Sequence, residues 1–264
     1  MKKYFFLIIL VLMLASCTPT VQQETTPTQV SEKDGMVMVY VPAGNFSMGS
    51  NNGAEDEQPV HTITLDAYWI DRTEVTNGMY ALCVQAGDCQ PPPYSDSYTR
   101  SSYYGNSHYA DYPVIYVDWN NAGAYCGWAG RRLPTEAEWE KAARGTDGRT
   151  YPWGYGSPNS SRLNYNENVG DTTAVGKYPS GASPYGALDM AGNVWEWVAD
   201  WYDAGYYEGS PASNPQGLPL GSNRVLRGGS LNNDEDGVRS AFRQWINPLV
   251  NVNSFGFRCV RASP

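Results

Sequence analysis

Residues 36–42 (MVMVYVP) form an unbroken apolar run bounded by Gly35 and Ala43, the pattern of a buried strand. Residues 62–65 and 67–70 carry the same signal in shorter form. Thr73-Glu74-Val75-Thr76 then offers hydroxyls to cap a helix through Tyr80, Leu82 and Val84, stopped by Gly87. Asp118 is placed to cap a helix over residues 119–129, where Ala122, Tyr125, Cys126 and Ala129 fall on one face. Thr135-Glu136-Ala137-Glu138 is a capping box, predicting a helix that runs to about Arg144 and stops at Gly145. Beyond it, residues 194–198, 225–227 and 255–260 read as short strands among turns. Residues 91–113 are Pro- and Tyr-rich without periodicity, and loops of that length in compact domains are functional or ordered by something else. Few long elements and many Gly turns predict an irregular α+β domain.

Composition narrows the classes. The 264 residues include 9 Trp, 20 Tyr and 6 Phe, with only 17% charged side chains, which excludes a coiled coil and disorder over the whole length. A net charge of −9 argues against a nucleic-acid partner, because there is no basic stripe to release counterions. Two histidines, His61 and His108, cannot supply a three-imidazole metal site, and both read as packing or surface residues.

The chain opens with Met1-Lys2-Lys3 and the apolar run 4–14. Eleven helical residues rise about 16 Å, roughly half the hydrocarbon thickness, so the run reads as a signal segment. Leu14-Ala15-Ser16-Cys17 resembles a bacterial lipobox, which implies lipidation of Cys17; cleavage with a free Cys17 is the other reading. The expected organisation is a lipoprotein signal peptide over 1–16, a polar disordered tether over 17–34 and a folded domain over 35–262. The protein is then extracytoplasmic and held by lipid to the cell membrane or an outer membrane.

Four further cysteines remain, Cys83, Cys89, Cys126 and Cys259, which allow three pairings in an exported chain. Cys83 and Cys89 are close enough for a local clip, which leaves Cys126 with Cys259. A soft-metal site is the competing reading, but CxxC spacing and a histidine partner are both missing.

Six motifs occur in order: Met38-Val39-Tyr40-Val41-Pro42-Ala43-Gly44, the run from Trp128 to Glu140 (WAGRRLPTEAEWE), Tyr151-Pro152-Trp153-Gly154, Gly192-Asn193-Val194-Trp195-Glu196-Trp197, Arg227-Gly228-Gly229-Ser230 and Phe255-Gly256-Phe257-Arg258-Cys259. This series resembles the formylglycine-generating enzyme, or sulfatase-modifying factor, family across the expected domain. The resemblance implies a variant of the C-type lectin fold and a bridge between Cys126 and Cys259. It also implies oxidation of a sulfatase cysteine, within a Cys-x-Pro-x-Arg segment, by O2 and copper(I). Copper(I) is soft and takes two thiolates. The family places them three and eight residues after the serine of Arg-Gly-Gly-Ser, where this chain has Asn233 and Val238. No copper is therefore expected. A related branch uses iron on three histidines, which this chain lacks.

The resemblance further implies calcium as a structural cofactor. Asp189 and Glu196 would supply carboxylates and Gly192 and Val194 carbonyls, a hard oxygen set. A second site would use Asn164, the Tyr165 carbonyl and Asp171. The alternative is that Asp189 is an N-terminal cap and Glu196 forms a buried salt bridge. Trp195 and Ser230 match groove-lining positions, with Asn232, Asn233, Asp234, Arg239 and Arg243 as further cleft candidates; the competing reading puts Trp195 and Arg227 in the core and Ser230 in a turn. Convergence of Ser230, Asn233, Asp234 and Arg239 on one pocket would favour an enzyme, and an open surface would favour binding. The leading expectation is a non-oxidase module binding a cell-surface peptide, protein or glycan. The alternative is a divergent enzyme acting on an exported peptide or small molecule.

Overall fold

The computed structural model describes residue 1 and residues 26–263. The expected signal segment, Cys17 and the first part of the tether lie outside the described residues. No helix among the described residues is long and apolar enough to cross a membrane.

Val37–Val41 (β2) forms where its apolar run predicts and pairs antiparallel with Tyr68–Asp71 (β5). Thr28–Val30 (β1) and Val260–Ala262 (β10) extend this pair into a four-stranded sheet in the order β1-β2-β5-β10. Gly44–Met48 (β3) and His61–Leu65 (β4) form a separate antiparallel pair. A second four-stranded sheet combines Trp195–Trp201 (β6), Arg224–Arg227 (β7), Gln244–Ile246 (β8) and Phe255–Phe257 (β9) in the order β8-β7-β6-β9, with β6 and β9 parallel.

Three helices begin at their predicted caps, and two of them end at the predicted glycine. Asn77–Ala86 (α1) starts where Thr76 Oγ1 accepts from the Met79 amide at 3.2 Å. Trp119–Trp128 (α2) starts where Asp118 accepts from the Asn121 amide at 2.8 Å. In Glu136–Arg144 (α3) the box closes both ways, with Glu138 N–H on the Thr135 hydroxyl at 3.2 Å and Thr135 N–H on the Glu138 carboxylate at 2.8 Å. Tyr206–Gly209 (α4) is a single turn.

Period-two alternation on β6 divides the interior. Trp195 and Trp197 enter a core built with α1, α2 and β9, while Val198 enters one built with α3 and β5. Both expected disulfides are present, Cys83–Cys89 and Cys126–Cys259. The second ties α2 to the segment between β9 and β10 across 133 residues of sequence.

Two boundaries differ from expectation. The folded region starts before residue 35, because β1 pairs with β2 over Thr28 to Val30 and the buried Asp34 carboxylate is ion-paired with Arg131. Residues 28–34 of the expected 17–34 tether therefore belong to the fold. Residues 255–260 are two strands and not one. Arg258 turns inward to an ion pair and Cys259 to its disulfide, which interrupts the ladder between β9 and β10.

Candidate functional site

The turn before β6 is built from unusual backbone. Asp189 and Asn193 both have positive φ, 55° and 61°, and Gly192 lies at 77°. A Cβ on Gly192 would stand 2.2 Å from the Asn164 carbonyl oxygen, so only glycine fits there. Strain of this kind collects at sites that hold something in place.

Four charged side chains meet behind this turn, and all are buried: Glu74, Asp189, Glu196 and Arg258. Glu196 is committed to an ion pair. Its two oxygens take the Arg258 guanidinium at 2.6 Å each, and Oε2 also accepts the Trp139 indole N–H at 2.8 Å. The buried salt bridge, the alternative reading, is what the chain forms. Asp189 caps no helix; its carboxylate accepts the Gly176 amide at 2.6 Å and faces Glu74. One Glu74 oxygen takes the Asn193 amide at 2.9 Å, while Oε2 has no partner among the described residues.

Burial first, and then the Asp189 charge, push the Glu74 carboxyl well above the usual carboxylate range. Burial also raises Asp189. Two carboxyls so placed share a proton or take a cation. Two carboxyls are a partial donor set for a hard cation, with Glu74 and not Glu196 beside Asp189. Glu74 was legible in the sequence only as part of a helix start. Among the described residues there is no cluster of three or more His, Cys, Asp or Glu side chains able to hold a metal.

The second expected site is also altered. Both Asp171 oxygens are engaged. Oδ2 accepts Ser97 Oγ at 2.7 Å, the Thr99 amide at 2.8 Å and Thr99 Oγ1 at 2.7 Å. Oδ1 takes the Thr172 amide at 2.7 Å and the Arg100 guanidinium at 2.9 Å. Burial opposes ionisation, yet the hydrogen bonds from Thr99 and Ser97 hold Asp171 below its ordinary value. Asn164 donates to the Asp171 carbonyl at 2.8 Å, and its Oδ1 has no partner among the described residues. The Tyr165 carbonyl accepts the Asn168 amide at 3.0 Å.

Of the cleft candidates, Arg239 alone lines one of the cavities described among residues 26–263. Trp195 is 6% exposed and packs on Phe242 with ring centroids 6.0 Å apart. Ser230 and Asn233 close a turn, the Asn233 side-chain oxygen accepting both the Ser230 amide and its hydroxyl at 2.9 Å. Val238 is fully buried among Tyr151, Leu163 and Ala191. Asp234 is exposed and accepts the Gly237 amide at 3.1 Å. Arg239 is held by both oxygens of Glu57 at 2.7 Å, and Arg243 by both oxygens of Glu136 at 2.8 and 3.0 Å. The 230 Å³ cavity that Arg239 lines, with Ser50, Asn52 and Tyr155 on its walls, contains none of Ser230, Asn233 or Asp234. The structural alternatives for Trp195, Arg227 and Ser230 are thus the ones realised.

Every cysteine among the described residues is in a disulfide. With amide and aliphatic side chains where a copper(I) pair would stand, the donor set does not fit that metal.

This arrangement is an irregular α+β fold in which Asn233 closes a turn and Val238 lies in the core. Residues 22–263 match the sulfatase-modifying factor enzyme 1-like domain, and the chain belongs to this family of formylglycine-generating-enzyme-type proteins. It is 35% identical over 279 residues to the formylglycine-generating enzyme of Streptomyces coelicolor, covering 84% of this chain and 88% of that protein. It is 39% identical over 240 residues to the serine/threonine-protein kinase Pkn1 of Chlamydia trachomatis, of whose length the match covers only 38%, against 85% of this chain. Among solved structures, PvdO from Pseudomonas aeruginosa superposes with a TM-score of 0.75 at 26% identity, covering 92% of this chain and all of that one. Treponema denticola variable protein 1 superposes with a TM-score of 0.74 at the same identity, covering 93% and 100%.

Proposed function

We propose that the chain is an extracytoplasmic, lipid-anchored binding module that keeps the family fold without copper oxidase chemistry. The single observation behind this reading is that the cleft candidates are engaged in structural contacts: Asn233 in the Ser230 turn, Val238 in the core, and Arg239 and Arg243 on buried glutamates. The lipobox at Cys17 supports anchoring, and the polar stretch after it supports a short tether. The kinase name of the chlamydial relatives is not carried over, since the match spans 38% of their length.

The surface beside the closed turn favours a peptide or protein partner. Between β8 and β9, Leu249 is 66% exposed and Val250 and Val252 are half-buried. The Val252 carbonyl accepts the Tyr116 amide at 3.1 Å, and the Tyr116 ring packs 5.0 Å from that of Tyr94, which is 59% exposed. Tyr98 hydrogen-bonds Asn232 across the same face. Exposed aromatic and aliphatic groups next to amides suit a polypeptide surface. A structural calcium at Asp189 and Glu74 would stiffen the turn that supports this face.

The expected result on arrays of surface-protein peptides and of glycans is peptide binding that Leu249→Asp and Tyr94→Ala each weaken at least about tenfold, with unchanged melting temperatures. Glycan binding indifferent to both substitutions would contradict the assignment of this face.

A further inference from the structure

The loop over residues 91–113 has no regular element to order it beyond one short turn, Ser107–Tyr109, yet it is packed around a single cation. The Arg100 guanidinium lies 4.8 Å from the Tyr109 ring centroid, 4.9 Å from Tyr112 and 5.8 Å from Tyr103. On its other side it meets three oxygens of a different segment: Asp171 Oδ1 at 2.9 Å, Thr172 Oγ1 at 3.2 Å and the Thr172 carbonyl at 3.0 Å. A carboxylate, a hydroxyl and a carbonyl are the oxygen types that a calcium ion collects from an irregular loop. Here all three are turned on a guanidinium, whose side chain is only 18% exposed. Ser97 and Thr99, on the same turn as Arg100, fill the remaining lone pairs of Asp171.

We infer that Arg100 is a built-in cation standing at the Asp171 end of the expected second calcium site, so that Asp171 and Thr172 are held to the Tyr-rich loop by a side chain and not by an ion. A divalent ion brought to the same oxygens would meet a fixed positive charge at hydrogen-bond distance and is repelled. The guanidinium also spreads its charge over three aromatic faces, which a hydrated ion cannot use in the same way. One consequence is that the loop carrying Tyr94 and Tyr98 stays ordered when calcium is scarce. The inference builds on the calcium reading of the Glu74 and Asp189 turn only for the number of ions expected in the unaltered chain.

The test counts calcium per chain in the wild type, Arg100→Gln and Arg100→Lys, by metal analysis after gel filtration in calcium. Melting curves in chelator and in excess calcium accompany the count. Arg100→Gln should bind one more ion than the wild type and lose roughly 5–10 °C in chelator, most of it restored by calcium. Arg100→Lys keeps the charge and should gain no ion. Equal counts in the wild type and Arg100→Gln overturn the inference, as do two ions in the wild type. A wild type with none and Arg100→Gln with one would sink the Glu74–Asp189 reading while sustaining this one. If Arg100→Gln folds in neither condition, the wild-type count decides, with two ions against the inference and one or none for it.

Discussion

Replacing Arg227 by methionine should lower stability by about 3–5 kcal/mol, the usual loss when one member of a buried ion pair is removed. Its guanidinium is fully buried, meets Glu140 at 2.5 Å and lies 3.5 Å from Glu136. It also donates to the carbonyls of Ser240, Ala241 and Phe242 at 2.7, 2.9 and 2.6 Å. Methionine fills similar space but leaves three carbonyls and part of Glu140 without donors. Arg144 and Arg243 still neutralise Glu140 and Glu136, which keeps the loss toward the lower end of that range. The surface pair Arg149–Asp147, with the aspartate 52% exposed, is the control; Arg149→Met should change stability by less than about 1 kcal/mol. Urea denaturation midpoints decide this, and equal losses for the two variants would remove the network from the account.

Converting Cys126 and Cys259 together to serine should be as damaging. The bridge closes 133 residues, and the chain-entropy relation gives about 5 kcal/mol for a loop of that length. For the six-residue loop between Cys83 and Cys89 the same relation gives about 2 kcal/mol. Thermal unfolding should therefore drop by roughly 10–20 °C for the long bridge and by less than half that for the short clip. The double serine variant of Cys83 and Cys89 proving the more harmful would show that local geometry, and not loop closure, sets their value.

What the sequence made legible follows from the range of the forces involved. Helix starts at Thr76, Asp118 and Thr135, and stops at Gly87 and Gly145, depend on contacts within four residues, and all five hold. The apolar runs of β2 and β5 likewise name their own strands. β1 was hidden because Thr28-Gln29-Val30 has no apolar face of its own and exists through pairing with β2. Asp34 joined the fold through Arg131, 97 residues away. The metal residues were legible as chemical types but not as occupied or free. Only the fold brings Arg258 to Glu196 from 62 positions away and the Ser97–Arg100 turn to Asp171 from more than 70. Glu74 shows the same limit, since a glutamate near a helix start reads as a capping residue until Asp189 is placed against it.

The buried acids give the arginines among the cleft candidates a structural use. Glu57, Glu136 and Glu140 bind Arg239, Arg243 and Arg227, joining the turn at Glu55–Glu57, α3, β7 and the loop before β8. Burial works against ionisation of Glu57 and Glu136, but their arginines outweigh it and hold both below the ordinary glutamate range.

The most direct test of the account is to incubate the purified full chain with copper(I), O2 and a Cys-x-Pro-x-Arg peptide, then weigh the peptide. With Asn233 and Val238 in the thiol positions and both disulfides closed, the cysteine should keep its mass. Appearance of the formylglycine aldehyde, in an amount that grows with the protein added, would contradict the claim that this fold has lost its oxidase.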